Sequence, residues 1–256
     1  MERASGLWVW MVYNVRRMRN TIRNPFRVGW NSARANVVPM IVLWVFAAAL
    51  VVGYYRIPAV SSVLSVVAEW QVRGGHFAAF LNRVVFSGVM PWLFMLSFRS
   101  LRPRRPVAVM IAVSVFCGTF GIVCDWMYLA HAAIFGTGID AATLLKKTLS
   151  AQFIWTPLVF CPASTVFFFW VGCDFSFGRF SQEWPKDFLK RAMLPNLITN
   201  WMVWIPAIFV IHAFPTPLQI QLSGLVGSLW ALMLLALGRS VSRDASDASP
   251  TSSSPS

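Results

Sequence analysis

The residue of this chain that is best suited to a chemical role is Asp125, a carboxylate that lies within a long apolar run. Ionisable side chains inside membrane-crossing helices are rare and usually face a bundle interior or water. Tyr128 follows three positions later and shares a helix face with Asp125. We therefore interpret Asp125 as a pore-lining or proton-sensitive group, or as a carboxylate that Arg83 or a hydroxyl satisfies for packing alone. Arg83 in turn is either that partner or a side chain that snorkels to the bilayer edge.

Three scattered histidines and four cysteines are the other reactive groups, and neither set predicts a metal site. His131 and His212 have no acidic companions at ligand spacing, so each is either a group that titrates near neutrality or a hydrogen-bonded core residue. No CxxC pair occurs. Cys117 and Cys124 are two helical turns apart, about 10 Å, which is beyond disulfide reach.

Enzyme motifs are missing from the sequence. It contains no Walker loop, no GxGxxG before a strand, no HExxH and no GxSxG. We therefore expect no catalytic residue and no cofactor, and we expect that the protein is not an enzyme.

The composition is that of a membrane protein. Hydrophobic residues make up 57% of the chain and charged residues only 12%, against roughly 25% charged in soluble domains. The net charge of +13 comes without any groove-reading motif, so nucleic acid is not expected as a partner. The basic residues instead flank apolar runs, where they set topology and meet anionic lipid.

Six apolar runs predict an all-α, polytopic transmembrane helical bundle of about six spans within residues 37–238. Val60–Ala68 is apolar but too short to cross, because a span needs roughly 20 residues. We expect the fourth run to be kinked or interrupted near its two prolines, Pro157 and Pro162. The six runs are Val37–Tyr55, Phe77–Phe98, Val107–Phe135, Thr148–Gly172, Leu197–Phe214 and Leu218–Leu237.

The two ends differ from the bundle and from each other. Residues 1–36 hold seven Arg against one acid and predict a basic amphipathic segment on anionic lipid, or a cleaved transit segment. Residues 239–256 are Ser-rich and predicted to be disordered. With six spans, seventeen of the 22 basic residues fall on the side of both ends and four on the other, as the positive-inside rule requires.

Two stretches are specific enough to indicate a family. One runs from Lys146-Lys147 through Gln152 to Pro157, and the other is Asn200-Trp201-Met202-Val203-Trp204-Ile205-Pro206. Further positions fit the same pattern, namely Gly118, Gly121, Tyr128, Pro217 and Trp230. Over about residues 107–238 the chain resembles a divergent member of the Mpv-seventeen family, also called the peroxisomal membrane protein of twenty-two kilodaltons family.

The resemblance implies four family-like spans preceded by an N-terminal extension. It also implies a non-selective channel, with the mitochondrial inner membrane as the location and the peroxisomal membrane as the alternative. Several polar positions depart from the family: Asp125 stands where a His is frequent, His212 where an Asn is usual, and Gln221 where an Arg is usual. The resemblance therefore implies a shared fold and leaves the selectivity open.

The sequence favours a small channel or pore for ions or metabolites. Its conduit would lie among the third to sixth spans, with five polar lining residues: Asp125, Tyr128, Gln152, Asn200 and His212. A homo-oligomer is plausible because six short spans enclose little lumen. The alternative is a non-conducting membrane scaffold that binds lipid or a partner protein. A coupled transporter is the weakest hypothesis, because no internal repeat is found.

Overall fold

The computed structural model describes residues 37–97, 103, 105–184, 187–189 and 193–247. Within these residues the named elements are all helices, as the predicted all-α class requires. The predicted basic segment 1–36 and residues 248–256 of the predicted tail lie outside the described residues.

Nine α-helices and two π-helical segments follow one another along the described chain. The first π segment, Val84–Val89, lies between α2 and α3, and the second, Ala151–Phe160, lies between α5 and α6. The α-helices are α1 (Val37–Arg56), α2 (Pro58–Arg83), α3 (Met90–Ser97), α4 (Pro106–Phe135), α5 (Ala141–Ser150), α6 (Cys161–Gly172), α7 (Phe177–Glu183), α8 (Leu194–His212) and α9 (Thr216–Asp247).

The second helical run is longer than the sequence predicts. It extends over 40 residues, Pro58–Ser97, whereas the predicted span begins at Phe77. Proline suits the first turn of a helix, which explains the start at Pro58. Gly75 interrupts the helical geometry with φ 50° and ψ −134°, a conformation that residues with a Cβ rarely adopt. The short apolar stretch Val60–Ala68 therefore belongs to the same run, on the other side of a bend.

The two following runs agree more closely with their predicted bounds. Helix α4 begins at Pro106 and ends before Gly136, whose φ of 82° stops the helix. The next run starts earlier than the predicted Thr148, because Asp140 accepts a hydrogen bond from the Thr143 amide at 3.0 Å and caps α5. The hydrogen bonds from Thr143 lower the pKa of the Asp140 carboxyl.

The prolines of this run alter its backbone hydrogen bonds but do not end the helix. Pro157 lies inside the second π segment, and Pro162 lies in the first turn of α6. A π segment accommodates the missing amide of a proline by shifting the backbone hydrogen bonds by one residue. The irregularity falls where the sequence predicts it, but the run Ala141–Gly172 stays helical throughout.

The last helix extends past the predicted start of the tail. Helix α9 continues to Asp247, and the disordered tail stays a prediction. No proline or glycine interrupts the chain between Arg239 and Asp247, and the next proline is Pro250. Helix α9 therefore propagates beyond the apolar run, whose end at Leu237 suggested a boundary.

Small residues bring α2 and α4 together at the centre of the bundle. A Cβ built on Gly121 would lie 2.5 Å from the Ala79 carbonyl oxygen, and one built on Gly118 would meet the Phe80 ring. Helices approach this closely only where side chains are small. Helix α9 packs on α2 beside this contact, and α8 packs on α1, α5 and α9.

Three described runs are long and apolar enough to cross a membrane: Pro58–Ser97, Pro106–Phe135 and Ala141–Gly172. Met40–Arg56 and Asn196–His212 are shorter apolar helices. These lengths are compatible with a membrane protein, and the count of six spans stays a prediction.

Candidate functional site

Two adjoining cavities lie among α2, α4, the second π segment, α8 and α9. The larger has a volume of about 150 Å³ and the smaller about 60 Å³. Both exceed the roughly 10–15 Å³ that one water molecule needs. Five residues line both cavities: Arg83, Cys124, Phe160, Asn200 and Trp204. The two cavities therefore share a wall, and Arg83 is part of it.

Arg83 is held from one side by a single residue of α9. Its Nη2 donates to Ser223 Oγ at 2.8 Å, and its Nη1 donates to the Ser223 carbonyl oxygen at 3.5 Å. Ser223 Oγ in turn donates its hydrogen to the Ile220 carbonyl oxygen at 2.9 Å. The lone pairs of Ser223 Oγ therefore remain available to accept from Arg83. Arg83 Nε is buried and has no hydrogen-bond partner among the described residues.

This arrangement corrects one prediction for Arg83. The guanidinium does not bind Asp125, whose hydrogen-bond partners are Gln71 and His76. Snorkelling to a bilayer edge stays a prediction. The guanidinium points toward α9 because Ser223 offers two acceptor groups there. Gly121 leaves room for the side chain, since a Cβ at that position would lie 2.7 Å from Arg83 Cγ.

Three of the five predicted lining residues come together at the smaller cavity. Tyr128 of α4, Gln152 of the second π segment and Asn200 of α8 all line it, and Asn200 also lines the larger cavity. The π segment holds Gln152 in place: the Trp201 indole donates to the Gln152 carbonyl oxygen at 2.7 Å. π-helical segments are frequent at functional sites, because their extra residue redirects the neighbouring side chains.

Asp125 lies elsewhere, at the bend of α2. Its Oδ2 lies 2.8 Å from His76 Nδ1, and its Oδ1 accepts from Gln71 Nε2 at 3.3 Å. The Trp126 indole donates to His76 Nε2 at 3.0 Å. Because an indole N–H can only donate, His76 Nε2 accepts and Nδ1–H donates to Asp125. Asp125 therefore belongs to a structural network and lines neither cavity.

The network of Asp125 continues into α9 through amide side chains. Gln221 Nε2 donates to Gln71 Oε1, and Asn82 Nδ2 donates to Gln221 Oε1 at 2.5 Å. His76, Gln71 and Asn82 were not predicted as functional residues. Only their polarity within otherwise apolar helices signalled them, and that signal does not reveal which residues meet.

His212 also lies apart from the two cavities. Its Nδ1 lies 3.4 Å from Thr148 Oγ1, and its ring centroid is 5.5 Å from that of His131. His131 Nε2 lies 3.1 Å from Ser150 Oγ. Lys147 is 2% exposed in the same region, whereas the adjacent Lys146 is exposed. The described residues contain no group of three or more His, Cys, Asp or Glu side chains that could hold a metal ion.

The motif residues behind the family resemblance occupy several positions in the bundle. Trp204 lines both cavities and Trp230 lines the larger one. Gly118 and Gly121 face α2, Trp201 contacts Gln152, and Pro157 lies in the second π segment. Pro206 lies inside α8, and Pro217 lies in the first turn of α9.

Comparison with profiles of protein families, with characterised proteins and with solved structures finds no match to this chain. The resemblance to the Mpv-seventeen family therefore remains a prediction from the quoted motifs.

Proposed function

We propose that this chain is a multi-pass membrane protein whose helical bundle forms a small channel or pore for ions or small metabolites. The observation that carries the proposal is the pair of adjoining cavities with polar side chains inside a bundle whose outer surface is apolar. An enzymatic role is not part of the proposal, because no catalytic motif occurs in the sequence.

The outer surface of α4 supports placement in lipid. Val107, Ile111 and Val115 recur every fourth residue and are each more than half exposed, and Ile134 is 70% exposed. Soluble monomers rarely expose such continuous apolar surfaces. In a bilayer the same surface contacts hydrocarbon, so its exposure carries no unfavourable free energy of hydration.

Polar side chains occur at the cavities, beside the apolar core of the bundle. Gln152, Thr156 and Ser164 are each buried among the helices around the cavities. Hydroxyl and amide side chains along a path supply hydrogen bonds that replace part of the hydration shell of a solute. The polar side chains at the cavities therefore support a hydrated path at that place in the bundle.

The proposed topology has six crossings with both ends on the same side of the membrane. The charge asymmetry of the connections motivates it. A homo-oligomer would enlarge the small lumen of one bundle.

From the family resemblance we propose the mitochondrial inner membrane as the location, with the peroxisomal membrane as the alternative. Imaging of the tagged full-length chain beside markers of both organelles decides between them.

Conductance measurement tests the proposed channel. Purified full-length protein in planar bilayers should give conductance steps that protein-free bilayers lack. Asn200→Leu should reduce the conductance severalfold, because it replaces a polar group shared by both cavities with a bulkier apolar one. Thr119→Leu is the matched control: Thr119 is exposed and bonds only the Val115 carbonyl of its own helix, so this variant should conduct normally.

The absence of conductance from folded, reconstituted protein would contradict the channel. That result would favour the alternative function, a scaffold that binds anionic lipid or a partner protein. The basis of the alternative is the basic segment 1–36, which lies outside the described residues.

A further inference from the structure

We infer that Arg83 forms a binding site for a small organic anion, with one carboxylate on a compact apolar body, in the two adjoining cavities. The inference deepens the proposed function, since it names the solute class of the same cavities. The binding site itself does not require that the solute pass through the bundle.

The charge of the cavities is the first argument. Among the described residues that line them, Arg83 alone carries a charge, and none is a carboxylate. No described carboxylate lies within ion-pair distance of the Arg83 guanidinium. Arg83 is positively charged and partly buried, and a desolvated charge without a counter-charge is costly. An anion in the cavity would supply the missing counter-charge.

The orientation of the guanidinium is the second argument. Ser223 occupies one N–H of each terminal nitrogen and holds the planar group in place. The Nε–H is buried and has no hydrogen-bond partner among the described residues. A guanidinium presents paired N–H groups that match the two oxygens of a carboxylate. The guanidinium is therefore held in an orientation that suits one carboxylate.

The walls of the larger cavity define the rest of the ligand. Phe116, Phe168 and Trp230 supply aromatic surface, while Asn196 and Asn200 supply amide groups near the charge. A cavity of about 150 Å³ lined by apolar residues accepts a molecule the size of benzene, and this cavity has about that volume. Inorganic anions would leave the aromatic wall uncovered, and long acyl chains would exceed the volume.

Direct binding to the purified full-length protein tests the inference without any transport measurement. The probes are sodium butyrate, sodium chloride, sodium decanoate and n-butylammonium chloride, compared at equal ionic strength through the shift of the thermal unfolding midpoint in detergent. Butyrate should raise the midpoint in a saturable way, and at the same concentration chloride and n-butylammonium should raise it less. Binding of decanoate without butyrate would identify a lipid-derived ligand and overturn the inference.

The variants separate the site from general charge effects. Arg83→Gln should abolish the butyrate shift, and Arg73→Gln should retain it, because Arg73 is exposed and pairs with Glu69. If Arg83→Gln does not fold, Arg83→Lys replaces it: a lysine keeps the charge but loses the paired N–H groups, so butyrate should bind about tenfold more weakly. Unchanged butyrate affinity in both folded variants overturns the inference.

The same variants distinguish this inference from the proposed channel. Butyrate binding that depends on Arg83, in protein without conductance, supports the anion site and contradicts the channel. In conducting protein, the reversal potential in a butyrate gradient should show anion preference, and Arg83→Gln should remove it. Conductance with no anion preference and no Arg83-dependent binding supports the channel and overturns the anion site.

Discussion

Asp125 is held by two residues from the bend of α2, one on each carboxylate oxygen. It is only 6% exposed, whereas about half of the His76 side chain is exposed. The hydrogen bond from His76 is assisted by the charge of the carboxylate, which strengthens it relative to a bond between neutral groups. At the residue scale, Asp125 and His76 therefore connect α4 to the bend and line neither of the two cavities.

A double-mutant cycle on His76→Ala and Asp125→Ala should give a coupling energy of about 1–2 kcal/mol, because the pair is charge-assisted but half-exposed on one side. The measurement is the free energy of unfolding in mixed micelles of detergent and sodium dodecyl sulfate.

The exposed pair Glu69 and Arg73 is the control for this cycle. Its atoms lie 3.2 Å apart on the surface of α2, so its coupling should stay below about 0.5 kcal/mol. Equal coupling for the two pairs would show that burial of Asp125 adds nothing.

At the scale of the elements, the position of Arg83 depends on the close contact between α2 and α4. Gly121 contacts both the Ala79 carbonyl and the stem of Arg83, so this contact sets the distance between the two helices and the room for the guanidinium. The second π segment has a comparable role for Gln152, because it presents the residue beside Trp201.

Gly121→Ala should destabilise the protein by about 1–3 kcal/mol, the usual cost of extra volume in a close-packed interior. The added Cβ would meet a backbone carbonyl at 2.5 Å, and a backbone atom cannot turn away as a side chain does. The free energy of unfolding in mixed micelles measures the effect.

Gly178→Ala is the matched control on the exposed helix α7. The nearest atom to its added Cβ is Ser176 Oγ at 3.9 Å, so this variant should be as stable as the wild type or slightly more so. Equal stability of Gly121→Ala and Gly178→Ala would mean that α2 and α4 separate without cost.

At the scale of the whole molecule, the bundle exposes many apolar side chains and buries several polar ones beside its apolar core. Apolar side chains such as those of Val107 and Ile134 cover the outside, and polar ones such as Gln71 and Gln152 lie within. A helix of 32 residues, the length of Ala141–Gly172, is about 48 Å long. This length exceeds the hydrocarbon thickness of a bilayer, about 30 Å.

Labelling of introduced cysteines with a membrane-impermeant maleimide tests the crossing of this run. Thr137→Cys precedes the helix Ala141–Gly172 and Ser181→Cys follows it, and both positions are exposed. In sealed vesicles of one orientation, only one of the two should react before detergent is added. Thr216→Cys should react from the same side as Thr137→Cys if α8 and α9 both cross.

Reaction of Thr137→Cys and Ser181→Cys from the same side would contradict a crossing by this run. The chain with its four native cysteines is the control. Cys161 and Cys173 are buried, and Cys117 and Cys124 are partly buried, so background labelling should be low in intact vesicles.

The sequence by itself determined the helical class, the apolar runs and most of their ends. Proline and glycine act on the local backbone, so Pro106 and Gly136 lie at boundaries close to the predicted ones, whereas the cap at Asp140 moved a start that was predicted at Thr148. It also indicated Tyr128, Gln152 and Asn200 as polar residues for an internal path, because polar groups in such helices turn inward. The sequence analysis did not predict the length of α9, because a helix continues until a residue breaks it.

Only the tertiary structure decided which polar residues meet. Arg83 binds Ser223, which lies 140 positions later, and Asp125 binds His76, 49 positions earlier. The rotation of each helix about its axis and the close approach that Gly121 permits determine these partners. The local periodicity of the sequence predicts neither of them. The cavities and the single positive charge in their walls follow from that packing, because a cavity is the space that several helices together leave unfilled.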